Sequence, residues 1–162
     1  LHPRVRRQRQ MCIRDRGYIE EAFLAYKTER YNIKGKDVVA GNCKYYLNDL
    51  SFKNFLYPGF AYGVGYLLEN AVYLELRRLG YIVYTGSFRD KEVDFVAMKD
   101  DRVIYLQATY MLETAQTMER EYAPLLTIGD NYEKYVVSMD EVQFPSNEGV
   151  RHIQAWNLKE IL

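Results

Sequence analysis

The chain has two cysteines, two histidines, one tryptophan and four prolines in 162 residues. The cysteines, Cys12 and Cys43, lie far apart, and the histidines, His2 and His152, sit at opposite ends. That leaves nothing with the spacing of a structural zinc site. No apolar run approaches the roughly 20 residues that a membrane-spanning helix requires, so no membrane partner is expected. No G-x-x-x-x-G-K-[ST] occurs. Gly59, Gly63 and Gly65 in "PGFAYGVG" lack the Lys and Ser/Thr of a phosphate loop. Nothing repeats and nothing is low-complexity. Net charge is absent too, with 22 basic and 22 acidic side chains. What the chain has in quantity is tyrosine, 16 of them, in segments that read as strand formers.

The zero charge hides a division. Residues 1–16 carry six arginines against Asp15, a surplus of five positive charges, and the remainder carries five more acids than bases. A basic arm for nucleic acid and an Arg-rich transit peptide are both readings of "RRQRQMCIRDR". A third fits its residue order better. Residues 6–15 back-translate as CGT CGG CAG CGT CAG ATG TGT ATA AGA GAC, which resembles a transposon-end sequencing adapter read in frame. Leu1-His2 fits a flow-cell primer end. Residues 1–16 are therefore expected to be a non-native scar, excluded from fold and function, with a longer chain interrupted at Gly17. On that reading Cys43 is the one remaining cysteine, which excludes an internal disulfide and suits a reduced, cytoplasmic protein. His152, in "VRHIQAW", is expected to be an exposed strand residue rather than a catalyst.

The pattern predicts an α/β order. Residues 24–31 and 44–48 read as strands of a β-ribbon around Gly35 and Gly41. "SFKNFLYPG" reads as a short helix stopped at Pro58-Gly59. In residues 60–79, Leu67, Leu68, Ala71, Val72, Leu74 and Leu79 recur at helical spacing, with Gly80 as the stop. Strands are predicted at 81–86, 92–98, 102–111, 132–139 and 150–157, with Asp100-Asp101 as a hairpin turn. A helix is predicted at 113–126. Strict alternation would put Val93, Phe95 and Ala97 on one face and Glu92, Asp94 and Val96 on the other. Asp94, between apolar neighbours, is costly to bury without a partner or a metal.

A helix Glu, a strand Asp and a (D/E)-x-K on the next strand resemble the PD-(D/E)XK nuclease arrangement. Its αβββαβ core has the element order just read. The resemblance implies a restriction-endonuclease-like fold with a mixed sheet, in which carboxylates hold Mg²⁺ and a Lys assists water attack. By position, Glu69 matches the helix acid and Asp94 the central aspartate, and these two would be the metal ligands. Gln107 stands where the second acid belongs and Thr109 where the Lys belongs, so the motif is degenerate. Lys91, Lys99 and Arg89 are candidate replacements for the missing cation.

A more specific likeness covers nearly all of 17–162. "YIEEAFLAYKTERYNIKGKDVVAGNCKYYLNDLSFKNFL", "LLENAVYLELRRLGYIVYTG", "KEVDFVA", "YLQATYML", "EREYAPLLTIGDNYEKYVVSMDE" and "GVRHIQAWNLKEIL" together resemble the C-terminal part of a family of prokaryotic AAA-type ATPases. In that family a P-loop domain precedes a winged-helix segment and a C-terminal domain of unknown function with the nuclease-like fold, commonly with Q-x-x-Y in place of E-x-K. The resemblance implies a winged-helix remnant at 17–57 and a restriction-endonuclease-like domain at 58–162. It also implies ATP and Mg²⁺ in a missing N-terminal ATPase domain, the partner within the same chain. This fragment is expected to need no cofactor of its own, apart from Mg²⁺ if it cuts.

Three function classes follow: a non-catalytic recognition or regulatory module, a metal-dependent nuclease with an altered site, or a structural or oligomerisation domain. The surplus of acids in 60–162 disfavours tight nonspecific DNA binding there. The ribbon lysines Lys34, Lys36 and Lys44 are the candidate nucleic-acid contacts.

Overall fold

A computed structural model describes residues 15–56, 58–59 and 63–162. Of the expected scar, residues 1–14 lie outside the described residues, as do Tyr57 and residues 60–62. Residues 15–21 are helical. The strands are β1 (Ala25–Asn32), β2 (Asp37–Leu47), β3 (Ile82–Phe88), β4 (Lys91–Lys99), β5 (Arg102–Ala108), β6 (Glu133–Ser138) and β7 (Val150–Gln154). The helices are α1 (Ser51–Leu56), α2 (Val64–Arg78) and α3 (Ala115–Leu126), and a 3₁₀ segment (Ala155–Glu160) follows β7.

All seven strands form one mixed sheet in the order β2-β1-β3-β4-β5-β6-β7. β1 with β3, β5 with β6, and β6 with β7 run parallel; the other neighbours are antiparallel. The mixed α/β class and the β-ribbon are as the sequence predicts. The ribbon does not stand apart from the second segment, however. Arg30, Tyr31 and Asn32 pair with Thr85, Gly86 and Ser87, so 25–47 extends the same sheet past the expected boundary at 57/58.

Helix α2 and helix α3 cover opposite faces. On one, Leu68, Val72, Tyr73 and Leu76 pack against Val83, Phe95, Ala97, Ile104 and Leu106. On the other, Tyr122 and Leu125 pack against Val93, Val96, Tyr105 and Val136. Each fully buried aliphatic side chain contributes about 1.5–3 kcal/mol to folding. Gly80, at φ +88°, closes α2 as expected: Gly80 N–H reaches Arg77 O and Tyr81 N–H reaches Leu76 O, both at 3.0 Å. Thr114 Oγ1 caps α3 by accepting from Thr117 N–H at 3.1 Å.

One departure from regular geometry decides the site. Tyr84 pairs with Val96 while Gly86 pairs with Val93, so two residues of β4, Asp94 and Phe95, oppose the single Thr85. Such a bulge breaks strict alternation and re-aims a side chain. Val93 and Val96 both face α3, while Asp94 joins Phe95 and Ala97 on the α2 side. The alternation expected for 92–98 is corrected accordingly. Gly86 lies against the bulge; a Cβ there would meet Val96 Cγ2 at 2.9 Å and Val93 Cβ at 3.0 Å. Gly86→Ala is therefore expected to destabilise the protein by about 1–3 kcal/mol through overpacking. Urea unfolding monitored by circular dichroism checks this, and an unchanged midpoint would contradict the close-approach role.

Candidate functional site

The bulge turns Asp94 out of the ladder just where β4 and β5 diverge. Regular pairing of the two strands runs from Lys99–Arg102 to Phe95–Leu106. Beyond it, side chains take over the backbone groups. Asp94 N–H donates to Gln107 Oε1 at 3.3 Å, and Ala108 N–H donates to Asp94 Oδ2 at 3.0 Å. Asp94 is 8% exposed.

Glu69, on the sheet-facing side of α2, reaches the same point. Its orientation is set by its neighbour. Asn70 accepts from Leu47 N–H at 2.8 Å and donates to Leu47 O at 2.9 Å, tying the end of β2 to α2 as an extra strand would. Just before Leu47 on β2, Lys44 and Tyr46, on either side of Tyr45, then face Glu69. Lys44 Nζ lies 2.9 Å from Glu69 Oε1, 3.2 Å from Asp94 Oδ1 and 3.0 Å from Glu92 Oε1. Tyr46 Oη donates to Glu69 Oε1 at 2.7 Å. Arg30 pairs with Glu92 Oε2.

The electrostatics follow from this packing. Burial opposes the charge on Lys44, yet Asp94 and Glu69 overcome it and hold its pKa above the ordinary lysine range. Burial pushes Asp94 up to about 6, with the Glu69 charge adding to the rise and Lys44 opposing it. Burial, and then Glu69, raise Tyr46 well above the usual phenol value, so it remains a donor.

The structure thus joins Glu69 and Asp94, as the motif implies, but not the rest of the expected set. Gln107 reaches the Asp94 backbone, not its carboxylate. Its amide donates at 3.2 Å to Glu121 Oε2 on α3, on the opposite face. Glu121 is in turn held by Arg120 at 2.7 and 2.9 Å. Thr109 is buried, with its N–H on Val137 O, and its hydroxyl makes no hydrogen bond to Glu69 or Asp94. The candidate replacement cations lie elsewhere: Lys91 on Ala123 O, Lys99 on Leu79 O and Arg89 over the Phe88 ring. Lys44 reaches the carboxylates instead. It was expected among the nucleic-acid contacts, and that assignment is corrected, because its ammonium is turned inward onto three acids. Lys34 and Lys36 remain exposed at the hairpin tip. Lys34 shares a shallow cleft with Arg89, and Lys36 lies over the Tyr132 ring.

Sequence reasoning missed Lys44, Tyr46, Glu92 and Arg30 as members of the cluster. The available signal was that β2 carries Lys-Tyr-Tyr beside a helix with Glu-Asn at 69–70. Pairing them needed the tertiary fold.

Mg²⁺ is the ion that the motif implies, and oxygens that would hold it are already engaged. Glu69 Oε1 already accepts from Lys44 and Tyr46, Asp94 Oδ1 from Lys44 and Asp94 Oδ2 from Ala108 N–H; both Glu92 oxygens are ion-paired. Among the described residues no group of three or more His, Cys, Asp or Glu is arranged to hold a metal ion. The arrangement does not fit Mg²⁺, which demands near-octahedral oxygen ligation.

His152 also departs from expectation: it is 2% exposed, not a surface residue. Phe144 N–H donates to Nδ1 at 3.1 Å, which leaves the proton on Nε2 for Ser138 Oγ at 2.8 Å. Ser138 donates in turn to Asp140 Oδ2 at 2.7 Å. Burial lowers the His152 pKa against the opposing pull of Asp140. These residue types match a nucleophilic triad, but the proton runs the wrong way for His152 to deprotonate Ser138. The set is a satisfied core network.

No family model matches the chain, and no solved structure matches it. Over 120 residues it is 36% identical to an uncharacterised protein of Haemophilus influenzae strain Rd, which covers 74% of this chain and 29% of that protein. The chain thus spans less than a third of the relative's length.

A carboxylate whose pKa is higher in the folded state stabilises the fold at low pH, and that contribution is lost as pH rises through the folded value. Asp94→Asn removes this loss. From about pH 4 to pH 8 the stability difference between variant and wild type is expected to shift progressively in the variant's favour. Denaturant midpoints measured across that range check it; a pH-independent difference would show that Asp94 titrates normally.

Proposed function

We propose that this chain is a non-catalytic, nuclease-like module, the C-terminal part of an AAA-type ATPase, serving recognition or regulation rather than cleavage. One observation carries the non-catalytic reading. The acids of the would-be catalytic cluster are ion-paired to Lys44 and Arg30 of the ribbon, and Gln107, at the second-acid position, is committed to Asp94 N–H and Glu121. Support for the restriction-endonuclease-like core comes from the order α2-β3-β4-β5-α3-β6 around a mixed sheet, with Glu69 and Asp94 meeting where β4 and β5 part. The ATPase reading rests on the sequence likeness, and the greater length of the Haemophilus protein leaves room for such a domain there. DNA is the proposed contact, through the exposed tip lysines.

A second reading has its own support. Lys44 arrives from β2 at the acids that Thr109 leaves without a cation, so an altered nuclease could use it in the lysine role. The two readings divide on cleavage. Incubated with supercoiled plasmid and Mg²⁺ or Mn²⁺, the protein is expected to leave the DNA intact. Cutting that Asp94→Ala abolishes would establish the nuclease and end the non-catalytic reading.

The DNA contact has a separate test. Lys34→Glu and Lys36→Glu are each expected to weaken binding and to lower the slope of log affinity against log salt by about 1. Fluorescence anisotropy with a labelled duplex measures both quantities. Unchanged affinity in the double variant would remove the tip from the interface.

A further inference from the structure

We propose that Lys44 is a built-in cation: its ammonium takes the place a divalent ion would need among Glu69, Glu92 and Asp94, bars such an ion, and pins the ribbon to the core. The inference rests on the geometry of the cluster and not on the ATPase or DNA readings.

The bonding of the acids leads to it. Nζ touches one oxygen of each carboxylate, at 2.9, 3.0 and 3.2 Å. Of the three donors of the ammonium, two go to Glu69 and Asp94, and Glu92 is ion-paired beside them. Of the six carboxylate oxygens, only Glu69 Oε2 is without a hydrogen bond or ion pair among the described residues. A divalent ion would have to displace Lys44 before it gained a second close ligand, because the Lys44 ammonium holds both Asp94 Oδ1 and Glu92 Oε1. It would also have to shed water, which Mg²⁺ does reluctantly.

Access does not bar the ion. Lys44 and Glu69 line an open cleft of about 390 Å³, shared with Lys53 and Tyr66. Small ions and water reach the mouth of the cluster, so exclusion has to come from charge and occupancy. With Lys44 and Arg30 the cluster holds two positive charges against three negative ones. Removing Lys44 would leave Glu69 and Asp94 unpaired in a partly dry site, and an uncompensated buried carboxylate is strongly unfavourable. A divalent ion then becomes the favoured counter-charge.

The same contacts give the ribbon its seat. β1 meets β3 through three residue pairs near the hairpin tip. Lys44 and the Asn70–Leu47 bonds hold the other end of β2 against α2. The cation is therefore covalently part of the element it docks, a high local concentration that free Mg²⁺ in solution does not match.

Mn²⁺ is the probe, because its paramagnetism broadens nearby amide signals without any turnover. In ¹⁵N spectra of the full chain, wild type is expected to show no selective broadening of Asp94 and Ala108 at submillimolar Mn²⁺. Lys44→Met is expected to bind Mn²⁺ at least about tenfold more tightly, with those amides broadened first, and Asp94→Asn in that background should abolish the effect. Lys44→Gln, which keeps most of the side chain's length and two amide donors, is the second variant should Met disturb folding. Selective broadening in wild type at low Mn²⁺ overturns the proposal, as does a folded Lys44 variant with no gain in affinity. DNA cleavage plays no part in this readout: Mn²⁺ binding by wild type without cutting would defeat this inference and leave the non-catalytic reading intact.

Discussion

The fold is arranged around the neutralisation of one buried carboxylate. Asp94 sits in the central β4 strand between Val93, Phe95 and Val96, all with no exposed surface. A charge in such a place costs several kcal/mol unless it is paired and hydrogen-bonded. Lys44 supplies the pair, Ala108 N–H the hydrogen bond, and Glu69 with Tyr46 completes the polar shell. The partners come from three different elements, β2, α2 and β5. The ribbon, α2, β4 and β5 must therefore all be in register before Asp94 is satisfied.

The bulge in β4 makes this possible. In a regular strand Asp94 and Phe95 would face opposite sides of the sheet. With two residues opposite Thr85, both turn to the α2 face, and the ladder between β4 and β5 gives way to side-chain bonds at the same level. Gly86 permits the close approach that the bulge requires. A backbone irregularity of one residue thus places a carboxylate where a helix acid and a ribbon lysine can meet it.

The second polar centre shows the opposite outcome. Ser138, Asp140 and His152 are fully engaged with one another and with Leu112 and Phe144 backbone N–H groups. Nothing in it is free to react. Asp94 is different in that its pKa is displaced toward neutrality and the cluster keeps a net negative charge. Displaced pKa values at the edge of a cleft are what mark a site worth testing.

Elements were legible because local periodicity carries them: the apolar spacing of α2, the stop at Gly80, the Asp100-Asp101 turn, and the strands around "VDFVA" and "VIYLQA". Glu69 and Asp94 were legible as a pair through the motif resemblance, and Asp94 alone as a charge among apolar residues that needs a partner. The role of Lys44 was not. In sequence it stands with Lys34 and Lys36 as one more base on a ribbon, fifty residues from Asp94. Its inward turn depends on the ribbon joining the sheet beside β3 and on Asn70 gripping Leu47. Neither His152's burial nor the aim of Gln107 had a local signal, since strand alternation reports two faces without saying what covers each. The sequence by itself determined the element order and the need for a counter-charge at Asp94, because both are set by residues close along the chain. Which cation would answer that need was decided only by tertiary structure, because the answer lies in strands brought together across the sheet and in a one-residue bulge that alternation does not reveal.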